Sequence, residues 1–98
     1  MKYNFEWDPD KAKSNAIKHG VRFEDALLVF LDPKALTIFD EDHSHNEDRW
    51  ITMGLANTIG LCVVHHTFRD TSTGQTIIRI ISARKASRNE HLQYAGEK

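Results

Sequence analysis

The stretch Thr76–Tyr94, TIIRIISARKASRNEHLQY, decides how the rest of this chain is arranged. Four isoleucines in its first half form a short apolar run of β-branched side chains, which predicts a strand. Ser87-Arg88-Asn89-Glu90 then matches the S-x-x-E capping box that begins a helix. Between strand and helix stand Arg84, Lys85 and Arg88. Because these cations and the helix dipole both favour an anion, the junction predicts a phosphate site.

Outside this stretch, the pattern of apolar and polar residues predicts two helices and four further strands. Asp8-Pro9 begins the first helix, which is mostly polar, and Gly20 ends it as a C-cap. The second helix begins near Arg22, carries more apolar residues and stops before Asp32-Pro33. The predicted strands are Tyr3–Trp7, Ala35–Phe39, Arg49–Leu55 and Leu61–Phe68.

Short loops join most consecutive strands, which predicts an antiparallel sheet. The last of these loops, Asp70–Gln75, is a polar hairpin that contains Gly74. The predicted fold class is therefore α+β, with an antiparallel sheet packed by two N-terminal helices and one C-terminal helix. The length of 98 residues is enough for one domain, 1–98, with a single core.

The formal net charge of −1 hides an uneven distribution. Five of the fourteen acidic residues lie in residues 40–48, so the remainder carries thirteen basic against nine acidic residues. Net charge alone argues neither for nor against a nucleic-acid partner, but the distribution permits a local basic site.

Cys62 lies in an apolar run and is expected to be a buried, inert thiol. We find no apolar segment that could span a bilayer and no signal peptide, and we expect a cytoplasmic protein.

Six histidines raise the question of a metal site. His43 and His45, among the acids of residues 40–48, could form a loose cation site, although a solvated turn is the favoured interpretation. No Cys and His spacing matches a structural zinc site, and we predict no metal or other cofactor. His65 and His66 are adjacent on one predicted strand, so they should point to opposite faces, one of them towards the core.

Arg79 is an unusual residue for the middle of an apolar strand. A guanidinium flanked by isoleucines must be paired or must face a functional cavity, because burying it unpaired is too unfavourable. For Arg79, a structural ion pair with Glu6 or Glu24 and a phosphate-binding role are therefore equally well supported.

Glu90 is more easily explained as a helix-capping residue than as a general base. Tyr94 follows Glu90 by four residues, hence on the same helix face, where it could also simply pack on the sheet.

This set of residues suits phosphodiester cleavage without a metal, because RNA carries its own nucleophile, the 2′-hydroxyl group. Arginine suits the stabilisation of a phosphate because its planar fork binds two oxygens at once. The candidate catalytic residues are Arg79 and Arg84 for the scissile phosphate, His66 or Glu90 as the base, and Tyr94 or Lys18 as the donor of the leaving-group proton. The candidate RNA-binding residues are Lys85, Arg88, Lys11 and Lys18.

Several segments together resemble one known family. They are FEWDPDKAKSNAIKHGVRFEDA at residues 5–26, LDP at 31–33, RWITMG at 49–54, HT at 66–67 and RIISARKASRNEHLQY at 79–94. In these segments the chain resembles the BrnT toxins of bacterial type II toxin–antitoxin modules, over essentially its whole length. The residues matching the family motifs are Trp7, Lys11, Asn15, Lys18, His19, His66, Arg79, Ser82, Arg84, Lys85, Arg88, Glu90 and Tyr94.

The resemblance implies a small RelE-like α+β fold and a ribonuclease activity that arrests translation. It also implies a tightly bound antitoxin, BrnA, which is a ribbon-helix-helix DNA-binding protein, so that operator DNA is contacted only through the antitoxin. The hairpin at residues 70–75 departs from the family pattern by an extra Thr-Ser-Thr-Gly. We expect this insertion to change the reach of the loop without affecting the core.

A different class of function is a non-catalytic module that binds a partner protein or DNA. Against DNA, the last predicted helix offers only Arg88 as a cation, which is too little for a recognition helix. A third possibility, a structural partner subunit, predicts that the partner buries the basic junction. A ribonuclease would stop growth when expressed alone and would cleave RNA in the presence of EDTA, whereas a binding module would do neither.

Overall fold

The computed structural model describes residues 3–96, a range that contains five β-strands and three α-helices. The predicted limits of the domain, residues 1 and 98, lie outside this range, and the single domain stays a prediction. The elements in chain order are β1 (Tyr3–Glu6), α1 (Pro9–His19), α2 (Phe23–Ala26), a 3₁₀ helix (Leu27–Leu31), β2 (Leu36–Phe39), a short 3₁₀ turn (Glu41–His43), β3 (Trp50–Ala56), β4 (Gly60–Asp70), β5 (Thr76–Lys85) and α3 (Arg88–Tyr94). The α+β class is confirmed.

The five strands form one sheet in the order β1-β5-β4-β3-β2. The pairs among β2, β3, β4 and β5 are antiparallel, as predicted, but β1 pairs with β5 in parallel, with Glu6 opposite Arg79. The prediction of a wholly antiparallel sheet is therefore wrong. Short loops impose antiparallel pairing only on strands that follow one another, whereas helices follow β1 and its partner is the last strand of the chain.

The helices α1 and α2 and the 3₁₀ helix pack on one face of the sheet, which we call the α1 face. The apolar core lies there and includes Phe23, Val29, Val64, Ile78 and Ile80, each at most 1% exposed. The buried thiol of Cys62 belongs to the same core, as predicted, and burial raises its pKa to about 11. The local signals of α1 are confirmed, because Asp8 caps the helix start and Gly20 ends it at a φ of 70°.

The second helix is shorter than predicted. The α-helix ends at Ala26, and the chain tightens into a 3₁₀ helix up to Leu31. This segment packs very closely on β3, since a Cβ atom at Gly54 would lie only 3.0 Å from the carbonyl oxygen of Val29 and 3.2 Å from its Cβ. The absence of a side chain at Gly54 allows this close approach.

Asn15 joins α1 to the sheet. Its side-chain amide donates to the carbonyl oxygens of Val21 and Ala83, at 2.9 and 2.8 Å, and its Oδ1 accepts from the backbone N–H of Ala83 at 3.0 Å. β1 pairs with β5 only as far as Arg79, so Asn15 satisfies backbone groups of Ala83 that no strand reaches on that side. Because α1 has few apolar residues, these hydrogen bonds of the buried Asn15 fix its position on the sheet.

The opposite face of the sheet, which we call the α3 face, is less completely covered. A smaller apolar cluster of Met53, Leu61 and Val63 lies there, with Ala86 and Tyr94 packed against it. Because α3 has only seven residues, the part of this face that lies towards β2 stays open. No helix within residues 3–96 is long and apolar enough to cross a membrane.

Candidate active site

A β-bulge in β5 determines which candidate residues share a face. Arg79 and Arg84 are five positions apart, and in a regular strand an odd separation places side chains on opposite faces. The register with β4 shifts between His65 and His66, so that β5 contains one extra residue between its partners for these two positions. Arg79 lies opposite Thr67 and Arg84 lies opposite Val63, which brings both guanidinium groups to the α3 face.

Arg79 is paired with a carboxylate, although with neither of the expected partners. Its Nη2 donates to both carboxylate oxygens of Glu47, at 2.5 and 2.6 Å, so the prediction of Glu6 or Glu24 is wrong. Glu47 belongs to the acidic segment 40–48, which therefore folds back over the sheet. The Nη2 atom of Arg49 lies 3.6 Å from Oε2 of the same carboxylate. Both members of the Arg79–Glu47 pair are about two-fifths exposed, at 42% and 38%, so solvent reaches them.

The Arg79–Glu47 pair lines a cleft of about 500 Å³. The charged residues around it are Glu6, Glu47, Asp48, Arg69 and Arg79. Acidic residues outnumber basic ones in this lining, so the net charge of the cleft does not attract RNA. An anion would be bound there through hydrogen bonds from the arginine N–H groups.

Arg84 is paired with Glu90 at the start of α3. Nη1 and Nη2 of Arg84 donate to the two oxygens of Glu90 at 2.8 and 2.9 Å, and the Ser87 N–H donates to the same carboxylate at 2.7 Å. The predicted capping box is confirmed. The hydrogen bond from Arg84 lowers the pKa of Glu90 to about 2. Glu90 therefore acts as a cap and an ion-pair partner, and it is a weak proton acceptor.

The candidate arginines do not meet at one point. In the register of β4 their partners, Thr67 and Val63, are four residues apart, which corresponds to about 13 Å along the strand. Only Lys85 and Arg88 lie near Arg84 at the start of α3; both are exposed, and neither forms an ion pair within the described part of the chain. The structure thus separates a basic junction around Arg84 from a cleft around Arg79.

His66 lies in the core, which confirms that one of the two adjacent histidines faces inwards. Its ring is fully buried and stands edge-on to Phe30 and Phe68, at 4.8 Å between centroids in each case. Nε2 is hydrogen-bonded to the hydroxyl of Thr52 at 2.7 Å, and burial lowers the pKa of His66 to about 4. Such a ring is out of reach of a substrate, so the expected role of His66 as the base does not fit its position in the fold.

His65 is the histidine of the α3 face, between Thr67 and Val63 on β4. Its side chain is 26% exposed, and its Nδ1 lies 3.7 Å from the Oδ2 of Asp40. Asp40 is itself buried and is hydrogen-bonded to Nδ1 of His43 at 2.8 Å. Burial lowers the pKa of His65, and the Asp40 carboxylate opposes this shift. The sequence did indicate that His65 and His66 differ, but only the fold shows which one is accessible.

The acidic segment 40–48 forms more than a solvated turn. Asp40 and Glu47 both reach the sheet, through His65 and Arg79. Sequence reasoning missed Glu47, and the available signal was the number of carboxylates in a segment that has no cation before Arg49. Within residues 3–96, no group of three or more His, Cys, Asp or Glu side chains is placed to hold a metal ion.

The remaining candidates lie elsewhere. The Tyr94 hydroxyl donates to Oδ2 of Asp32 at 2.5 Å, which raises the pKa of Tyr94 and ties α3 to the loop before β2. Lys11 and Lys18 line a separate cleft of about 310 Å³ between α1 and Ser82 of β5. Lys18 therefore lies in a different cleft from both arginine pairs, and the hydroxyl of Tyr94 is bonded to Asp32 and to neither arginine.

Comparison with known proteins agrees with this architecture. The family model BrnT_toxin, described as the ribonuclease toxin BrnT of type II toxin–antitoxin systems, matches residues 7–90. The crystal structure of the Brucella abortus ribonuclease toxin BrnT is similar at a TM-score of 0.63 and 26% identity, covering 90% of this chain and 100% of that one. No match is found among curated proteins. The chain therefore belongs to the family of BrnT ribonuclease toxins of type II toxin–antitoxin systems.

Proposed function

We propose that this chain inhibits translation by cleaving RNA without a metal ion, on the α3 face of its sheet. The observation that carries the proposal is the Arg79–Glu47 pair at an open cleft, on the same face as His65. A guanidinium whose direction is held by a carboxylate at Nη2 can present its other N–H groups to a phosphate without turning. Both the RNA substrate and the action in the cytoplasm, where RNA is translated, follow from this proposal.

The reaction is an attack of the RNA 2′-oxygen on the adjacent phosphorus. His65 accepts the proton of the 2′-hydroxyl group at Nε2, and the Asp40 carboxylate, 3.7 Å from Nδ1, stabilises the protonated ring that results. The lowered pKa of His65 keeps the ring neutral for this role near neutral pH. Arg79 stabilises the charge that develops on the phosphate oxygens, with Glu47 as its positioning partner. The 5′-oxygen leaves with a proton from solvent, and the products are a 2′,3′-cyclic phosphate and a 5′-hydroxyl end.

The cations outside the cleft are proposed to guide the RNA backbone. Lys85 and Arg88 are exposed beside the Arg84–Glu90 pair, where Arg84 adds a partly exposed guanidinium. Lys11 and Lys18 offer a second basic stretch along α1. Such contacts supply affinity without sequence preference and weaken as the salt concentration rises.

The antitoxin is proposed to be a BrnA-like ribbon-helix-helix protein, with operator DNA contacted only through it. This proposal, like the RelE-like assignment of the fold, rests on the motif resemblance at residues 5–26 and 79–94. The family membership itself entails an antitoxin partner.

A second candidate function is a non-catalytic regulatory module. It is favoured by one observation, which is that Arg79 and Arg84 each donate to both oxygens of a carboxylate of their own chain. A phosphate would have to compete with Glu47 for Arg79. A module of this kind predicts no RNA cleavage under any condition.

The test is RNA cleavage by the purified chain in EDTA, together with growth arrest on expression without the antitoxin. We expect Arg79→Ala to lower the cleavage rate by about 10²–10³-fold. Arg22→Ala is the matched control, because Arg22 forms an exposed pair with Glu24 at 3.7 Å and should change little. An RNA with a 2′-deoxy sugar at the cleavage site should not be cut.

Three results would contradict the proposal. Full activity of an Arg79→Ala variant that circular dichroism shows to be folded would remove the arginine from the mechanism. Loss of wild-type cleavage in EDTA would contradict metal independence. Absence of cleavage and of growth arrest in the wild type would favour the binding module.

A further inference from the structure

The α3 face has an uncovered apolar groove on the side of β2. Leu36 is 43% exposed and Ile38 is 62% exposed. Leu36 and Ile38 line a groove of about 160 Å³, whose far wall includes the Arg84–Glu90 pair. Contiguous exposed apolar side chains of this kind mark interaction sites more often than ordinary surface.

The strand that borders this groove has a free edge. Among the strands of residues 3–96, β2 is the last of the sheet and pairs only with β3, and all four of its residues are exposed. Its sequence, LTIF, contains no charge, proline or glycine. Natural edge strands are normally protected by such residues, so an unprotected edge beside an apolar groove is suited to pairing with a strand of another protein.

The charges around β2 indicate the kind of partner. Directly after the strand, Glu41 and Asp42 are exposed and form no ion pair within residues 3–96. The residues just before it include one exposed cation, Lys34. A second copy of this chain in antiparallel register would bring Asp32-Pro33-Lys34, with no net charge, against these acids, and in parallel register acids would face acids. RNA would be repelled by the acids and could not use the apolar groove.

We propose that an extended segment of the antitoxin adds to β2 as a sixth strand of the sheet. Its apolar side chains fill the groove over Leu36 and Ile38, and a basic residue beyond them meets Glu41 and Asp42. The bound segment then covers the groove next to Arg84, so neutralisation includes direct occlusion of the basic junction. The binding of the antitoxin at β2 rests on the family membership, which entails an antitoxin. Only the effect of covering the basic junction rests on the proposed function.

The test compares two exposed isoleucines that receive the same substitution. Ile38→Lys places a charge in the groove, whereas Ile17→Lys alters a 79% exposed isoleucine on α1, far from β2 in the fold. The probe is the antitoxin encoded with this toxin, titrated against each full-length variant. We expect Ile38→Lys to raise Kd by about 10- to 100-fold, because a buried isoleucine contact is lost and a charge is desolvated. Ile17→Lys should leave Kd unchanged.

Hydrogen exchange on the wild-type complex gives a readout that does not depend on any variant. The amides of Leu36–Phe39 that do not bond to β3 should become protected when the antitoxin binds, and the free chain should remain a monomer at the same concentration. Equal exchange of these amides with and without the antitoxin would overturn the proposal, as would equal Kd values for the two lysine variants. A concentration-dependent dimer of the toxin alone that Ile38→Lys dissociates would assign the edge to a second copy instead. Because binding is measured directly, none of these results depends on whether the chain cleaves RNA.

Discussion

His65 and His66 are adjacent in β4, and their surroundings are opposite. His66 is enclosed by aromatic rings and a threonine hydroxyl, while His65 lies on the accessible face near Asp40. The alternation of a strand predicts this separation, but it does not say which histidine points outwards. The choice depends on which side of the sheet the helices cover, and that is a property of the whole chain.

The role of His65 can be tested by one conservative change. We expect His65→Gln to lower kcat by about 10²–10⁴-fold with little change in KM, because glutamine is polar and similar in size but has no basic nitrogen that could take up the proton. The rate should be measured on a short RNA across the range from about pH 5 to about pH 8. His91→Gln on α3, where the histidine is exposed, is the matched control. If His65→Gln retains the wild-type rate and pH profile, His65 is not the base.

At the scale of elements, α1 is held to the sheet by unusually little apolar surface. It is a polar helix, and its one buried residue is Asn15, whose side chain makes three hydrogen bonds, to Val21 and to both backbone groups of Ala83. The bulge in β5 is likewise an element-scale feature, because it brings Arg79 and Arg84 to one face. Both features depend on the hydrogen bonding of the β5 backbone, which the pattern of apolar and polar residues in the sequence does not reveal.

Asn15→Ala should destabilise the protein strongly for its size. It removes three buried hydrogen bonds and leaves the N–H and the carbonyl group of Ala83 without partners, at about 1–3 kcal/mol for each unsatisfied group. We expect the free energy of unfolding in urea to fall by about 2–4 kcal/mol. Ser14→Ala, on the exposed side of the same helix, should change it by less than about 0.5 kcal/mol. A loss below about 1 kcal/mol for Asn15→Ala would show that other contacts hold α1 in place.

At the scale of the whole molecule, the buried His66 links stability to pH. Burial lowers the pKa of His66 from its ordinary 6.5 to about 4. Between about pH 6.5 and pH 4, His66 is therefore mostly protonated in the unfolded chain and mostly neutral in the folded chain. The stabilising contribution is complete above about pH 6.5 and is lost as the pH falls towards 4.

We therefore expect the free energy of unfolding to fall by about 2 kcal/mol from about pH 7 to about pH 5, owing to His66 alone. Urea unfolding at a series of pH values measures this slope. His66→Gln should be less stable near neutral pH but should show a clearly smaller slope over the same range. An identical slope in the two proteins would mean that another group carries the pH dependence.

Local signals were sufficient for much of this fold. The caps Asp8, Gly20 and Ser87 and the hairpin around Gly74 were all readable from neighbouring residues, as were the apolar strands, because turns, caps and burial patterns act over a few positions. The confirmed antiparallel pairing of β2, β3, β4 and β5 follows from the same short loops. The basic junction of Arg84, Lys85 and Arg88 was also visible in this way.

Contacts between distant residues decided the rest. The sequence by itself determined most of the elements and a cationic strand-to-helix junction, together with the family likeness. Only the tertiary structure decided that Arg79 pairs with Glu47, 32 positions away, that β1 joins the sheet in parallel, and that His65 is the accessible histidine. The physical reason is that such partners are selected by the packing of a whole sheet between its two faces, which is a sum over long-range contacts and leaves no mark on any short stretch of the chain.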